Sequence, residues 1–373
     1  MAPHTPPRDT KVPYLEYPSP NQQHHEQQTR RQCLIYLIPG NPGLAGYYDP
    51  FLATLRQLLD ETEAKNSETA FHLSAQNLLG FCDNDHEPPF GTDGTTPFNL
   101  EDQICHVYDR LVELNSPQAP HSDSEAPVYD EVIVIGHSVG SYIAVEVFHR
   151  HHLRMAATDI NESNTRHLNL KAGILLFPTV SHMAKSSSGK KLDLIRRVPF
   201  LDNNAHRIAK SFVDLWPRWF LDVIVGRVMG FPAHAAAATV EFLVSRDGIW
   251  QALHLGKDEM VNITEEKWGE ELWEIASDAE EDEAAARRGD GDEDSDKELK
   301  SAGRTKFFFY YAKKDHWVAD ECRDAFIERR STHGRGGTRI MIDEHDIPHA
   351  FCIAHSELVA EKVKGWVDEI MGA

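Results

Sequence analysis

Val132-Ile-Val-Ile135 runs directly into Gly136-His-Ser-Val-Gly140, and that into Ser141-Tyr-Ile-Ala-Val-Glu-Val-Phe148. Four consecutive apolar β-branched residues read as a strand buried on both faces, and the residues after Gly140 carry a helix pattern. Between them a serine stands two residues from a glycine on either side. Such a serine sits on a strained strand-to-helix turn with its hydroxyl held clear. The glycines are required because a Cβ there would strike neighbouring backbone. The five-residue pattern alone is weak, since it recurs by chance. Its place after a strand and before a helix is what makes it specific; the alternative is a glycine-rich turn with a bystander serine.

The same alternation extends in both directions. Cys33–Ile38, Phe71–Ala75, Gly173–Phe177, Phe307–Tyr311 and Thr338–Ile342 are further short apolar runs bounded by glycine or proline. Helix patterns fall between and after them, over 48–59, 100–114, 139–149, 320–329 and 356–371. In the last, Val359, Val363, Trp366, Val367 and Ile370 share one face. Strands alternating with helices imply an α/β fold, a mostly parallel sheet with helices on both faces. One stretch, 181–275, is helical or irregular without a strand. Set between two strands, it reads as a cap over the sheet. The catalytic core then comprises 31–180 and 304–373.

Two segments stand apart. Residues 1–30 hold six prolines in the first twenty positions and then a Gln/His tract, which reads as a disordered tail. Between Asp278 and Lys300 there are 11 acidic and 4 basic side chains, so 276–303 reads as an acidic, solvated insertion.

Composition excludes several function classes. The chain of 373 residues has 38 Lys+Arg against 59 Asp+Glu, a net charge of -21, and that field repels nucleic acid. Five scattered cysteines (Cys33, Cys82, Cys105, Cys322, Cys352) without a CxxC pair argue against a zinc ribbon and a disulfide framework. The longest run free of charged side chains, Gln32 to Tyr48, is broken by Pro-Gly-Asn-Pro-Gly, so no membrane-spanning helix is expected. Neither a metal nor a cofactor is expected.

A serine hydroxyl needs a base, and the base an orienting acid, in the chain order Ser, Asp/Glu, His on this kind of sheet. Asp315 follows the strand Phe307–Tyr311, where a carboxylate can reach the serine; the loop after Phe177 has no acid until Asp193. After Ile342 three histidines compete. His345 sits among acids and reads as solvated, His355 opens the last helix, and His349 stands between Pro348 and the apolar Ala350-Phe351. His349 is the candidate base. Developing negative charge on a substrate oxygen needs two backbone donors, one after the serine and one from the loop after the first strand. The first is the N–H of Val139, and the candidate for the second is that of Asn41 in Pro39-Gly-Asn-Pro-Gly43, whose prolines cannot donate. Read alone, that loop is also an ordinary βα turn.

The stretches Ile38-Pro-Gly-Asn-Pro-Gly43 with Tyr47-Tyr48 and Phe51, Gly136–Gly140 with Ser141-Tyr142, Phe309–Asp315 with Trp317, and Ile347-Pro-His-Ala-Phe351 together resemble the lipid-droplet-associated hydrolases of the α/β-hydrolase superfamily. The resemblance is to a fungal-type member with an extra tail and an acidic insertion. It implies a serine esterase-like enzyme with Ser138, Asp315 and His349 as its triad, at lipid droplets with endoplasmic reticulum or cytoplasm.

Within the cap, Pro217–Phe231 pairs Arg218, Asp222 and Arg227 with the apolar Trp219, Phe220, Val223, Ile224, Val228 and Phe231. Such an amphipathic helix either lies in a lipid interface or packs as a lid. Trp219, Phe220, Ile224 and Phe231 are therefore the candidate substrate- or membrane-facing residues. The leading reading is hydrolysis of acyl or sterol esters at a droplet or membrane surface. The alternatives are a droplet-binding protein with weak or no catalysis, and a thioesterase or peptidase using the same three residues.

Overall fold

The computed structural model describes residues 14–20, 30–65, 68–115, 129–157, 168–273, 306–333 and 338–372. Seven strands form one sheet: β1 (Tyr14–Tyr17), β2 (Arg31–Ile38), β3 (Thr69–Gln76), β4 (Glu131–His137), β5 (Leu170–Leu176), β6 (Lys306–Tyr311) and β7 (Arg339–Ile342). Their order is β1-β3-β2-β4-β5-β6-β7, and all neighbours are parallel except β1 against β3. The register pairs Ile35 with Ile133, Val134 with Gly173, and Gly173 with Phe307. The centre of the sheet is therefore lined by the apolar runs that mark it in the sequence.

Helices α1 (Asp49–Lys65), α2 (Leu100–Leu114) and α3 (Val139–Ala157) follow β2, β3 and β4 in turn. The start of α2 is written in its sequence. Asn99 accepts from the Asp102 N–H while the Asp102 carboxylate accepts from the Asn99 N–H, a reciprocal capping box. Between β5 and β6 lie α4 (Ser187–Arg196), α5 (Pro199–Val213), α6 (Arg218–Val223), α7 (Ala233–Val244) and α8 (Gly248–Asn262). A π-helical turn, Ile224–Val228, continues α6. The chain closes with α9 (Asp320–His333), the short α10 (Phe351–Ala354) and α11 (Ser356–Met371). The apolar face expected of the last helix is buried, Val359, Val363, Trp366, Val367 and Ile370 included.

Two expectations need correction. The tail 1–30 is not wholly disordered, because Tyr14–Tyr17 pairs antiparallel with β3, Tyr14 opposite Gln76 and Tyr17 opposite Leu73. Pro13 and Pro18 bracket this strand rather than prevent it, and Leu15 and Tyr17 pack on the core. The Tyr17 hydroxyl also donates to the Asp49 carboxylate. The second concerns Thr338–Ile342, expected to be buried on both faces. It is the outer strand β7, with Met341 and Ile342 exposed at 39% and 37%. The acidic segment 276–303 lies outside the described residues, as does the Gln/His tract.

Candidate active site

The turn between β4 and α3 forces the first feature of the site. Ser138 has φ 54°, a left-handed conformation rare for a residue with a side chain, and it is held there from both sides. Its N–H donates to the Leu176 carbonyl, and its own carbonyl accepts from Ser141. A Cβ on Gly136 would lie 2.5 Å from the Gly140 carbonyl oxygen, and one on Gly140 would collide with the Ile38 carbonyl. Glycine is thus the residue that lets α3 start against the end of β2.

Asp315 and His349 arrive from the loops after β6 and β7. The His349 Nε2 is 2.8 Å from the Ser138 Oγ, and its Nδ1 is 2.7 Å from Asp315 Oδ2. The other Asp315 oxygen accepts from the Trp317 N–H at 2.8 Å. Burial would raise this carboxyl, but the hydrogen bonds from His349 and Trp317 outweigh it and hold the group below its ordinary range. Asp315 is thus an anion at neutral pH, able to fix the Nδ1–H tautomer of His349 and leave Nε2 free to accept the serine proton. The loop carrying His349 is tied down by Asp343, which accepts from Tyr310 Oη at 2.6 Å and from the Ile347 N–H at 2.7 Å. His345 is exposed; its backbone N–H joins these donors to Asp343 at 3.1 Å, whereas it is His349 that bonds to Ser138 and Asp315.

The loop after β2 presses against the serine: a Cβ on Gly40 would stand 3.0 Å from that of Ser138. The Gly40 N–H is occupied by Tyr48 Oη at 2.9 Å. Asn41 turns its side chain away, its Nδ2 donating to the Ala252 carbonyl and to Glu259 Oε1, each at 3.0 Å, both on α8. Its two side-chain N–H groups are thereby engaged, so a part for Asn41 at the serine would fall to its backbone N–H. Val139 is the first residue of α3, so its N–H has no partner within the helix.

Several neighbours were not singled out from the sequence. Phe177 has φ 47°, a second strained non-glycine backbone beside Ser138. Its ring lies 6.4 Å from that of His349 and 5.5 Å from that of Phe351, which in turn packs edge-on against His137. Thr179 donates its N–H to the Ser138 carbonyl at 3.4 Å. Glu259 is buried, which pushes its carboxyl up to about 8 against the opposing bond from Asn41. His137 and Tyr48, 2.6 Å apart, connect the two loops. Nothing in the sequence pairs residues 89 positions apart, although Tyr48, through the Tyr47-Tyr48 pair, and His137, inside Gly136–Gly140, each lie in a stretch that the sequence singles out.

The four residues expected to face substrate or membrane are divided. Trp219 is exposed at 66%, while Phe220 is half-buried with its ring stacked on Trp216 at 4.4 Å. Ile224 is half-buried, and Phe231 packs partly against the main core. The buried face of this segment is Leu221 and Val225, which close on Val240 of α7 as a small separate core.

A seven-stranded, mostly parallel sheet flanked by helices, with a serine at the turn after its central strand, is the α/β-hydrolase fold. A peroxisomal alpha-beta-hydrolase of Saccharomyces cerevisiae superposes with a TM-score of 0.50 at 12% identity, over 96% of this chain and 82% of that one. The profile of the family described as lipid-droplet associated hydrolase matches residues 31–352, and the chain belongs to that family. Among its relatives are the lipid droplet-associated hydrolase of Rattus norvegicus, 25% identical over 90% of this chain and 84% of the relative. That of Homo sapiens is 23% identical over 91% and 86%, and that of Drosophila melanogaster 22% over 92% of each chain.

Proposed function

We propose that the protein is a serine hydrolase of lipid carboxylic esters, acyl or sterol, acting at the lipid-droplet surface through an acyl-enzyme. The observation that carries this reading is the continuous hydrogen-bonded chain Ser138 Oγ, His349 Nε2, His349 Nδ1, Asp315 Oδ2, at 2.8 and 2.7 Å, with the serine on a strained turn. Ser138 Oγ attacks the ester carbonyl while its proton passes to His349 Nε2. Asp315 stabilises the resulting imidazolium without taking the proton. The negative charge on the carbonyl oxygen is met by the N–H groups of Val139 and Asn41, an electrostatic contribution of roughly 10²–10³ in rate per donor. The C–O bond then breaks, the alcohol leaves with the proton from His349, and water repeats the sequence on the acyl-serine.

The choice of lipid rests on the helical segment. Its exposed apolar side chains include Phe200, Phe212, Leu215, Trp216, Trp219 and Val228. Over 185–227 the chain carries nine Lys/Arg and four Asp/Glu, a local excess of positive charge in a molecule of net charge -21. Apolar side chains mixed with cations suit a phospholipid monolayer bearing anionic headgroups, and the names of the relatives agree with a droplet. The same surface favours a second reading, a droplet-binding protein with little catalysis.

A p-nitrophenyl ester series of rising acyl length separates the two. The serine hydrolase reading expects turnover that climbs with chain length and vanishes in Ser138→Ala. Droplet binding that persists in Ser138→Ala, with no turnover by folded wild type, would give the second reading first place.

A further inference from the structure

The two loops that bring Asn41 and His349 to Ser138 do not touch only through the serine. Behind it runs a second, buried chain of hydrogen bonds. The Gly40 N–H donates to Tyr48 Oη at 2.9 Å, Tyr48 Oη lies 2.6 Å from His137 Nδ1, and His137 Nε2 lies 2.8 Å from the His349 carbonyl oxygen. Tyr48 and His137 are both buried, walled in by Phe351 and Phe177.

Chemistry fixes every proton in this chain. A carbonyl only accepts, so His137 Nε2 must carry a hydrogen. Burial, followed by the neighbouring His349, drives the His137 imidazole down to about 3, so the ring is neutral and its Nδ1 is an acceptor. Tyr48 therefore donates to Nδ1, and its oxygen is left to accept from the Gly40 amide. The direction is single: Gly40 N–H to Tyr48, Tyr48 O–H to His137, His137 Nε2–H to the His349 carbonyl. No member is left unsatisfied, and successive bonds in such a chain polarise one another.

The geometry points to Tyr48 and His137 as positioning residues: a one-way relay that locks the loop bearing the Asn41 amide to the loop bearing His349, so that oxyanion donor and base stay in register across Ser138. The inference deepens the serine hydrolase reading and rests on it for its catalytic consequence, though the relay itself is a property of the fold. Neither side chain touches substrate. Both act through backbone placement, where an error of about 1 Å is worth up to ~10²-fold in rate.

Tyr48→Phe keeps ring volume and deletes the hydroxyl alone. His137→Leu deletes both ends of the ring's contribution, whereas His137→Gln can place an amide N–H near the former Nε2 and restore the bond to the His349 carbonyl. In hydrogen exchange, Tyr48→Phe is expected to lower protection over residues 38–43 and over 345–351 together. In kinetics, Tyr48→Phe and His137→Leu should each lower kcat about 10- to 100-fold with KM little changed. Fluorophosphonate labelling should reach full stoichiometry more slowly, which a simple loss of folded protein would not give. The double variant should be scarcely worse than either single, and His137→Gln should recover part of the rate. Unchanged exchange over 345–351 in Tyr48→Phe, or single effects that multiply in the double variant, would overturn the relay. Wild type that is never labelled would instead overturn the serine reading, and the exchange result would still decide the relay.

Discussion

Asp315 shows how much a single side chain is asked to do. It is held anionic by the His349 and Trp317 bonds despite burial, and it dictates which nitrogen of His349 faces the serine. Asp315→Asn keeps the shape but can donate to Nδ1, which stabilises the wrong tautomer. We expect kcat to fall by about 10⁴-fold with little change in melting temperature. A loss of less than tenfold, measured on long-chain esters, would mean the tautomer is set elsewhere. Gly140 makes the complementary point about backbone. Its Cβ position is filled by the Ile38 carbonyl, so Gly140→Ala must move the start of α3 away from β2. Ser138, Asp315 and His349 were expected from residue type, position after a strand and their neighbours in the chain, and the fold brings the three within hydrogen-bond distance. Phe177, strained and edge-on to His349, was not legible, since a phenylalanine ending an apolar strand reads as core.

At the scale of elements, α8 is the part whose role depends on charge. It grips the β2 loop through Asn41, using the buried Glu259. Because the folded state raises that carboxyl from its ordinary 4.5 to about 8, the native protein holds a proton there that the unfolded chain has lost. Stability from this group is fully present below pH 4.5, declines as pH rises through the interval, and levels off above about 8. Glu259→Gln keeps an acceptor for Asn41 and removes the titration. Its stability relative to wild type should therefore improve steadily between those limits, as read by denaturant unfolding at several pH values. A difference independent of pH would show that Glu259 is already charged in the native state. Sequence reading found six of the seven strands and the helices that flank the sheet from apolar periodicity, but it read 181–275 only as helical or irregular and missed β1. Four residues between two prolines hold too little apolar pattern to signal a strand, and what stabilises it is the edge of β3, supplied by residues some sixty positions away.

At the scale of the whole molecule, charge and apolar exposure are unevenly spread. A chain of net charge -21 presents a segment, 185–227, in which cations outnumber anions nine to four. Phe212 and Trp219, exposed at 63% and 66%, stand in that segment. If it meets a lipid surface, each of those aromatic side chains contributes about 1.5–3 kcal/mol on burial. Phe212→Ser and Trp219→Ser should each weaken binding to droplets or to vesicles by about tenfold or more. Wild-type binding should rise with the fraction of anionic lipid and fall with salt. Binding unaffected by either substitution would place the contact elsewhere. The expected amphipathic stretch Pro217–Phe231 captured one part of this surface. It could not reveal that Leu221 and Val225 face inward, or that Phe200 and Phe212 of α5 are exposed, because those directions are set by how the helices pack on α7.

Every scale converges on the hydroxyl of Ser138. The most direct test is to react purified protein with a fluorophosphonate and map the adduct by peptide mass spectrometry in wild type, Ser138→Ala and His349→Ala. A stoichiometric adduct on Ser138 in wild type, absent from Ser138→Ala and strongly slowed in His349→Ala, is the expected result. Folded wild type that takes no label, or Ser138→Ala that takes as much as wild type, would contradict the assignment of Ser138 as the nucleophile.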